Sequence, residues 1–109
     1  MIPKQNNLIS NAIRKSAKGE DCTLNIVGEC NNDVSTTVLC HVSFGSRATG
    51  AKESDLSAVY GCYNCHAKLD GRTGVLDEKD KYFYIGRAIV RTHIRMNELG
   101  LLIVKGRDE

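Results

Sequence analysis

Apolar positions recur at helical spacing near the start of the chain. Leu8, Ile9, Ala12, Ile13 and Ala17 predict a short amphipathic helix over residues 7–18, closed by Gly19, behind a frayed tail at 1–6. From Cys22 to Val27 apolar and polar residues alternate, and the polar turn Asn31-Asn32-Asp33 follows. This reads as a strand and a tight loop. The run Thr36 to Ser43 (TTVLCHVS) is rich in β-branched residues and is the clearest strand signal. Residues 44–54, with Gly45, Gly50, two serines and charges, read as an exposed loop. Asp55 is placed to cap a helical segment at 55–60, and a helix through the Cys62–His66 stretch to Asp70 and Gly71 follows. The best helix is 77–98: Asp77, Glu78 and Asp80 load its first turn, and Gly100 stands at its end. Tyr82, Ile85, Ala88, Ile89, Thr92 and His93 form its inner stripe, and Leu101 to Val104 predict a last short strand. The order predicts one small α+β domain spanning 1–109.

Composition sharpens this picture in one respect. The 109 residues carry no Trp and only 6% aromatics, so large anchors for a core are few, yet they include five cysteines. A formal charge of +2 and 26% charged residues describe ordinary globular material; they exclude a generic polycation but leave room for a local basic face on nucleic acid. An odd cysteine count argues against a closed disulfide framework. The first residues form no apolar run that would serve as a signal or membrane span, so a cytoplasmic chain without a membrane partner is expected. In a reducing compartment cysteines serve metal or chemistry more often than bridges.

Cys62-x2-Cys65 is a metal knuckle, two thiolates that grip one ion from a single turn. Zinc takes four tetrahedral ligands, and Cys22-x7-Cys30 can supply the second pair of a structural Zn²⁺ site, at a looser spacing than usual. The bland alternative makes Cys22, Cys30 and Cys40 small buried hydrophobes. Cys62-x2-Cys65-His66 also matches c-type haem attachment, with Met96 as a distal ligand, but haem leaves Cys22 and Cys30 without a role.

His66 follows the knuckle and Asp70 lies one helical turn further on. A histidine and a carboxylate at that spacing can share a catalytic divalent ion, Mg²⁺, Mn²⁺ or Zn²⁺. His41, ending the best strand, can act as general base on a water. The alternative is that His66 only caps its helix and Asp70 only pairs with Lys68 or Arg72. Arg87, Arg91 and Arg95 lie four apart on the long helix and give a cationic stripe opposite the apolar one; Lys68 and Arg72 extend it beside the proposed site. Such groups hold phosphates without sequence preference, or they are simply a solvated face.

The pattern Cys22…Cys30…Val-Leu-Cys-His41-Val…Asp55-Leu…Cys62-x2-Cys65-His66-x3-Asp70-x-Arg72 resembles the YbcO-like nucleases of prophages, within the broader HNH (ββα-metal) nuclease group. The resemblance covers roughly residues 12–95. It implies a zinc-stabilised ββα-metal core with an added C-terminal helix, in which His41 activates water and His66 holds the catalytic metal. The reaction implied is phosphodiester hydrolysis in DNA, in phage or prophage DNA processing or recombination. Expected partners are DNA and phage recombination or replication proteins, and a homodimer would suit the cutting of both strands. Cys40 stands where most HNH enzymes carry a metal-binding Asp, and Asp55 is the nearest candidate for their middle Asn. If Asp70 does not supply the missing carboxylate, the domain is instead a non-catalytic zinc-binding adaptor for DNA or a phage protein.

Overall fold

A computed structural model describes residues 8–42, 54–106 and 108. Helix α1 (Asn11–Lys15) is followed by an irregular segment and a 3-10 turn at Val34–Thr36. Strand β1 (Val38–His41) pairs antiparallel with β2 (Ala58–Gly61), which a second 3-10 turn, Asp55–Ser57, precedes. Helix α2 (Tyr63–Leu69) and the long α3 (Glu78–Glu98) complete a small α+β fold, with three α-helices and a two-stranded sheet among the described residues. No helix among the described residues is long and apolar enough to cross a membrane.

The hairpin divides the core. In register, Leu39 opposes Tyr60 and Cys40 opposes Val59. Side chains alternate along a strand, so the two pairs face opposite sides. Cys40 and Val59 pack with Cys22, Leu24, Ile26, Cys62, Cys65, Ile85 and Ala88; Tyr60 and Leu39 pack with Ile13, Ala17 and Met96. Gly61 ends β2 where the layers meet most tightly: a Cβ there would lie 2.8 Å from Cys40 Sγ and 2.9 Å from Leu24 Cδ1. Any side chain at this point would overfill the core.

Several expected elements differ, each for a tertiary reason. Helix α1 is shorter than 7–18. Ser10 is its N-cap, accepting from Ile13 N, while Leu8 bonds residues 54 and 55 through its backbone and is drawn away from any helix. The expected strand at 22–27 is irregular: Asn25 is left-handed (φ 44°), and only Thr23 meets the sheet, its N–H and hydroxyl both donating to Tyr60 O. Thr92 Oγ1 accepts from Tyr60 N, so the outward-facing backbone of Tyr60 is satisfied without a third strand. Of the strand expected at 36–43, Val38–His41 is strand and Thr36 belongs to the preceding 3-10 turn, while Ser43 lies outside the described residues. The helix expected at 55–60 is a 3-10 turn capped by Ser54, then strand β2, buried at every position. Leu101–Val104 forms no strand; Leu101 N returns to Met96 O and its side chain packs on the second cluster.

Helices α2 and α3 agree closely with expectation. Asp70 C-caps α2 and Gly71 (φ 79°) follows, with Gly71 N bonded to Lys68 O and Arg72 N to Ala67 O. That pair of bonds is a Schellman closure, which needs the left-handed residue glycine supplies. Helix α3 buries Ile85, Ala88, Thr92 and Met96, while Tyr82 lies outside the stripe expected for it. The tail at 1–6 and the loop at 44–54, apart from the buried Ser54, lie outside the described residues.

Candidate functional site

The four cysteines picked from spacing meet at one point. The Sγ atoms of Cys22, Cys30, Cys62 and Cys65 all lie within 4.8 Å of one another, and Cys62 Sγ is 3.9 Å from Cys30 Sγ. Zinc–sulfur bonds of about 2.3 Å in a tetrahedron set sulfurs about 3.8 Å apart, so the quartet fits one zinc ion. The donors around it suit thiolates: Asn25 N donates to Cys22, Cys65 N to Cys62, Ile26 N to Cys65, and Asn25 Nδ2 to Cys30. The left-handed turn at Asn25 that breaks the expected strand is what aims these groups at sulfur. Hydrogen bonding from Cys65 pulls the Cys22 thiol down to about 5, while the same contact raises Cys65. Cys40 stays outside the quartet, fully buried, and burial above all pushes its thiol up to about 12.

The histidines form two separate pairs. At the end of β1, His41 Nε2 lies 2.8 Å from Asp55 Oδ1. Asp55 is fully buried; its Oδ2 also accepts from Ser10 N at 2.7 Å, and Arg14 Nε reaches both carboxylate oxygens. Burial pushes the Asp55 carboxyl up, but the bonds from Ser10, His41 and Arg14 outweigh it and hold the pKa below 3.8. An ionised carboxylate only accepts, so His41 Nε2 carries the hydrogen. His93 Nε2 donates to Leu56 O at 2.9 Å and buttresses the turn that carries Asp55.

On α2, His66 Nε2 is 3.3 Å from Asp70 Oδ2, and both side chains are partly exposed. Two donors about 2.1 Å from one ion at adjacent positions lie about 3.0–3.4 Å apart, so this pair can chelate a divalent cation. His41 does not join it: among the described residues the cysteine quartet is the one group of three or more ligating side chains within metal-binding reach. Alternation along β1 turns His41 toward α1 and Asp55, whereas its neighbour Cys40 faces the cluster containing Cys65 of α2.

The basic residues are more internally engaged than a free stripe would be. Arg87 Nη2 donates to Leu24 O and Asn25 O, and its guanidinium lies over Phe83 and Tyr84. Arg91 donates to Asn25 Oδ1 and Arg95 pairs with Glu20 at 2.6 Å. Instead of lying opposite the buried stripe, the three reach back to segment 20–25. Lys68 Nζ bonds Thr73 O, and Arg72 bonds Asp70 Oδ2 at 3.4 Å. Arg14 and Ser10, which complete the surroundings of Asp55, carry no sequence signal, being distant from His41 along the chain and ordinary members of a short helix and its cap.

Residues 11–101 match the sequence model of the family described as "Putative nuclease YbcO". A protein of that description from Escherichia coli (strain K12) is 41% identical over 66 residues, 60% of this chain and 69% of the relative. Its counterpart from Enterobacteria phage 82 matches to the same extent. A solved structure of a bacteriophage protein from Escherichia coli K-12 superposes with a TM-score of 0.66 at 29% identity, covering 82% of this chain and all of that one.

Proposed function

The chain belongs to the YbcO nuclease family, and from that membership we propose that it is a metal-dependent HNH-type endonuclease hydrolysing phosphodiester bonds in DNA, in phage or prophage DNA processing. The observation that carries the reading is the His41–Asp55 contact at 2.8 Å. With Nε2 donating to a buried carboxylate, the ring is fixed and Nδ1 keeps its lone pair. That nitrogen can take a proton from a water as the water attacks phosphorus. Asp55 orients the ring and stabilises the imidazolium that forms; Ser10 and Arg14 keep it ionised.

His66 and Asp70 are the residues that would hold the divalent ion. A divalent ion held there, Mg²⁺ or Mn²⁺ (Zn²⁺ being the third choice), would supply positive charge to a DNA phosphate and its 3′ oxygen. Lys68 and Arg72 flank that pair and would steady the DNA backbone on that side of β1, while His41 faces the other. Arg87, Arg91 and Arg95 would add to the field around DNA while their hydrogen bonds hold segment 20–25. The cysteine quartet with zinc is structural in this reading.

A second reading rests on Cys40. The position where most HNH enzymes carry a liganding carboxylate is here a fully buried thiol, which suits a zinc-binding adaptor that contacts DNA or a protein without cutting. Cleavage assays on supercoiled, linear, branched and single-stranded DNA with Mg²⁺ or Mn²⁺ separate the two. The endonuclease cuts at least one form; His41→Ala lowers the rate by about 10²–10⁴-fold, the typical contribution of a general base, with zinc content unchanged. Asp55→Asn retains more activity than His41→Ala. No cutting of any form by the wild-type protein overturns the enzyme reading and leaves the adaptor.

A further inference from the structure

The exposed Lys15 and Lys18 have no ion-pair or hydrogen-bond partner among the described residues. Both line a cleft of about 330 Å³ between α1 and β1, with Arg14 as the third cation and no described acidic residue in the wall. Ala17 and Leu39 give the cleft an apolar floor. Thr37 closes one side, 5% exposed, and its Oγ1 has no hydrogen-bond partner among the described residues. Three cations over apolar surface complement a polyanion that carries an apolar sugar between its charges.

The cleft also has a direction. Leu39 and His41 lie on one face of β1, two residues or about 7 Å apart. The rise of about 3.4 Å per nucleotide is only the axial part of the path between phosphates, and a separation of about 7 Å matches consecutive phosphates of one strand, so the cleft stands about one nucleotide from His41. Arg14 joins the two, lining the cleft while bonding the carboxylate that holds His41.

We propose that the α1–β1 cleft seats the sugar–phosphate backbone of the DNA strand to be cut, and so presents the adjacent phosphodiester to His41. Phosphate oxygens meet Lys15, Lys18 and Arg14, and deoxyribose lies over Ala17 and Leu39. This rests on the endonuclease reading for the meaning of His41, but the binding itself is testable without cleavage.

Duplex DNA binding is measured by fluorescence anisotropy against salt concentration, in the His41→Ala background so that the DNA stays intact. Removing two phosphate contacts in Lys15→Ala/Lys18→Ala is expected to reduce the slope of log K against log salt by about 1.8 and weaken binding about tenfold at low salt. Lys79→Ala/Lys105→Ala, which removes two exposed lysines outside the cleft, should leave the slope unchanged, and all variants should keep their zinc and melting temperature. An unchanged slope in the first pair, an equal loss in the control, or no DNA binding by the parent overturns the cleft assignment. Wild-type protein that binds through this cleft but cuts nothing overturns the endonuclease reading alone.

Discussion

Gly61 shows how one position without a side chain shapes the core. An added Cβ would stand 2.8 Å from Cys40 Sγ and 2.9 Å from Leu24 Cδ1, both fully buried and unable to retreat into solvent. Gly61→Ala is therefore expected to cost about 1–3 kcal/mol through overpacking. That corresponds to a fall in Tm of about 4–8 °C per kcal/mol for a domain of this size. Calorimetry on Gly61→Ala, Cys40→Ala and the double variant checks the assignment: removing the sulfur should recover part of the loss, so the pair is non-additive. An undiminished Tm for Gly61→Ala would show that the strand end shifts freely. Cys40 itself, buried with its thiol raised to about 12, belongs to this packing and lies outside the zinc quartet.

At the level of elements, the segment leading into α1 is docked through one carboxylate. Asp55 receives Ser10 N, Arg14 Nε and His41 Nε2, while its own N–H donates to Leu8 O. Because these contacts hold the folded-state pKa below the ordinary 3.8, the unfolded chain binds the proton more tightly than the folded one. The stabilisation is fully present above that range and is lost as pH falls through the folded-state pKa. Urea midpoints measured from pH 7 to pH 3 should fall further for the wild type than for Asp55→Asn, which is less stable at neutral pH but lacks this titration. Parallel curves would mean that Asp55 contributes nothing to the acid limb. Helix α3 is tied similarly to segment 20–25 by Arg87, Arg91 and Arg95, so its cations serve the packing of the irregular zinc-binding segment.

At the level of the whole molecule, the sheet has two strands among the described residues, and a short hairpin is marginal by itself. The cysteine quartet joins the irregular segment at Cys22 and Cys30 to the β2–α2 junction at Cys62 and Cys65, spanning the first core cluster. A zinc ion there would bind with apparent free energy of order 10 kcal/mol, as large as the net stability of many small domains. Elemental analysis should find one zinc per chain. Removal with a strong chelator should abolish cooperative thermal unfolding and the near-ultraviolet signal of the buried Tyr60, with recovery on adding zinc back. A chelated protein that still melts cooperatively at the same temperature would show that the core suffices without metal.

The cysteine knuckle, the His66–Asp70 pair one turn apart and the extents of α2 and α3 were legible in the residues because each depends on local spacing or capping. The pairing of Cys22 and Cys30 with the knuckle followed from what zinc requires, although their spacing alone did not compel it. Strand β2 escaped because it is buried on both faces and four residues long, so no alternation marks it. The apparent alternation of 22–27 misled, since donors there turn toward sulfur instead of extending a ladder. The direction of the arginines and the Ser10–Arg14–Asp55–His41 contacts depended on residues far apart in the chain, and no local period encodes such a meeting. Sequence alone thus determined the Cys62–Cys65 knuckle and the extents of α2 and α3, because those properties are local. Tertiary structure alone decided that the histidines form two pairs and that a cationic cleft adjoins one of them, because only folding sets the relative placement of α1, β1 and the turn at Asp55.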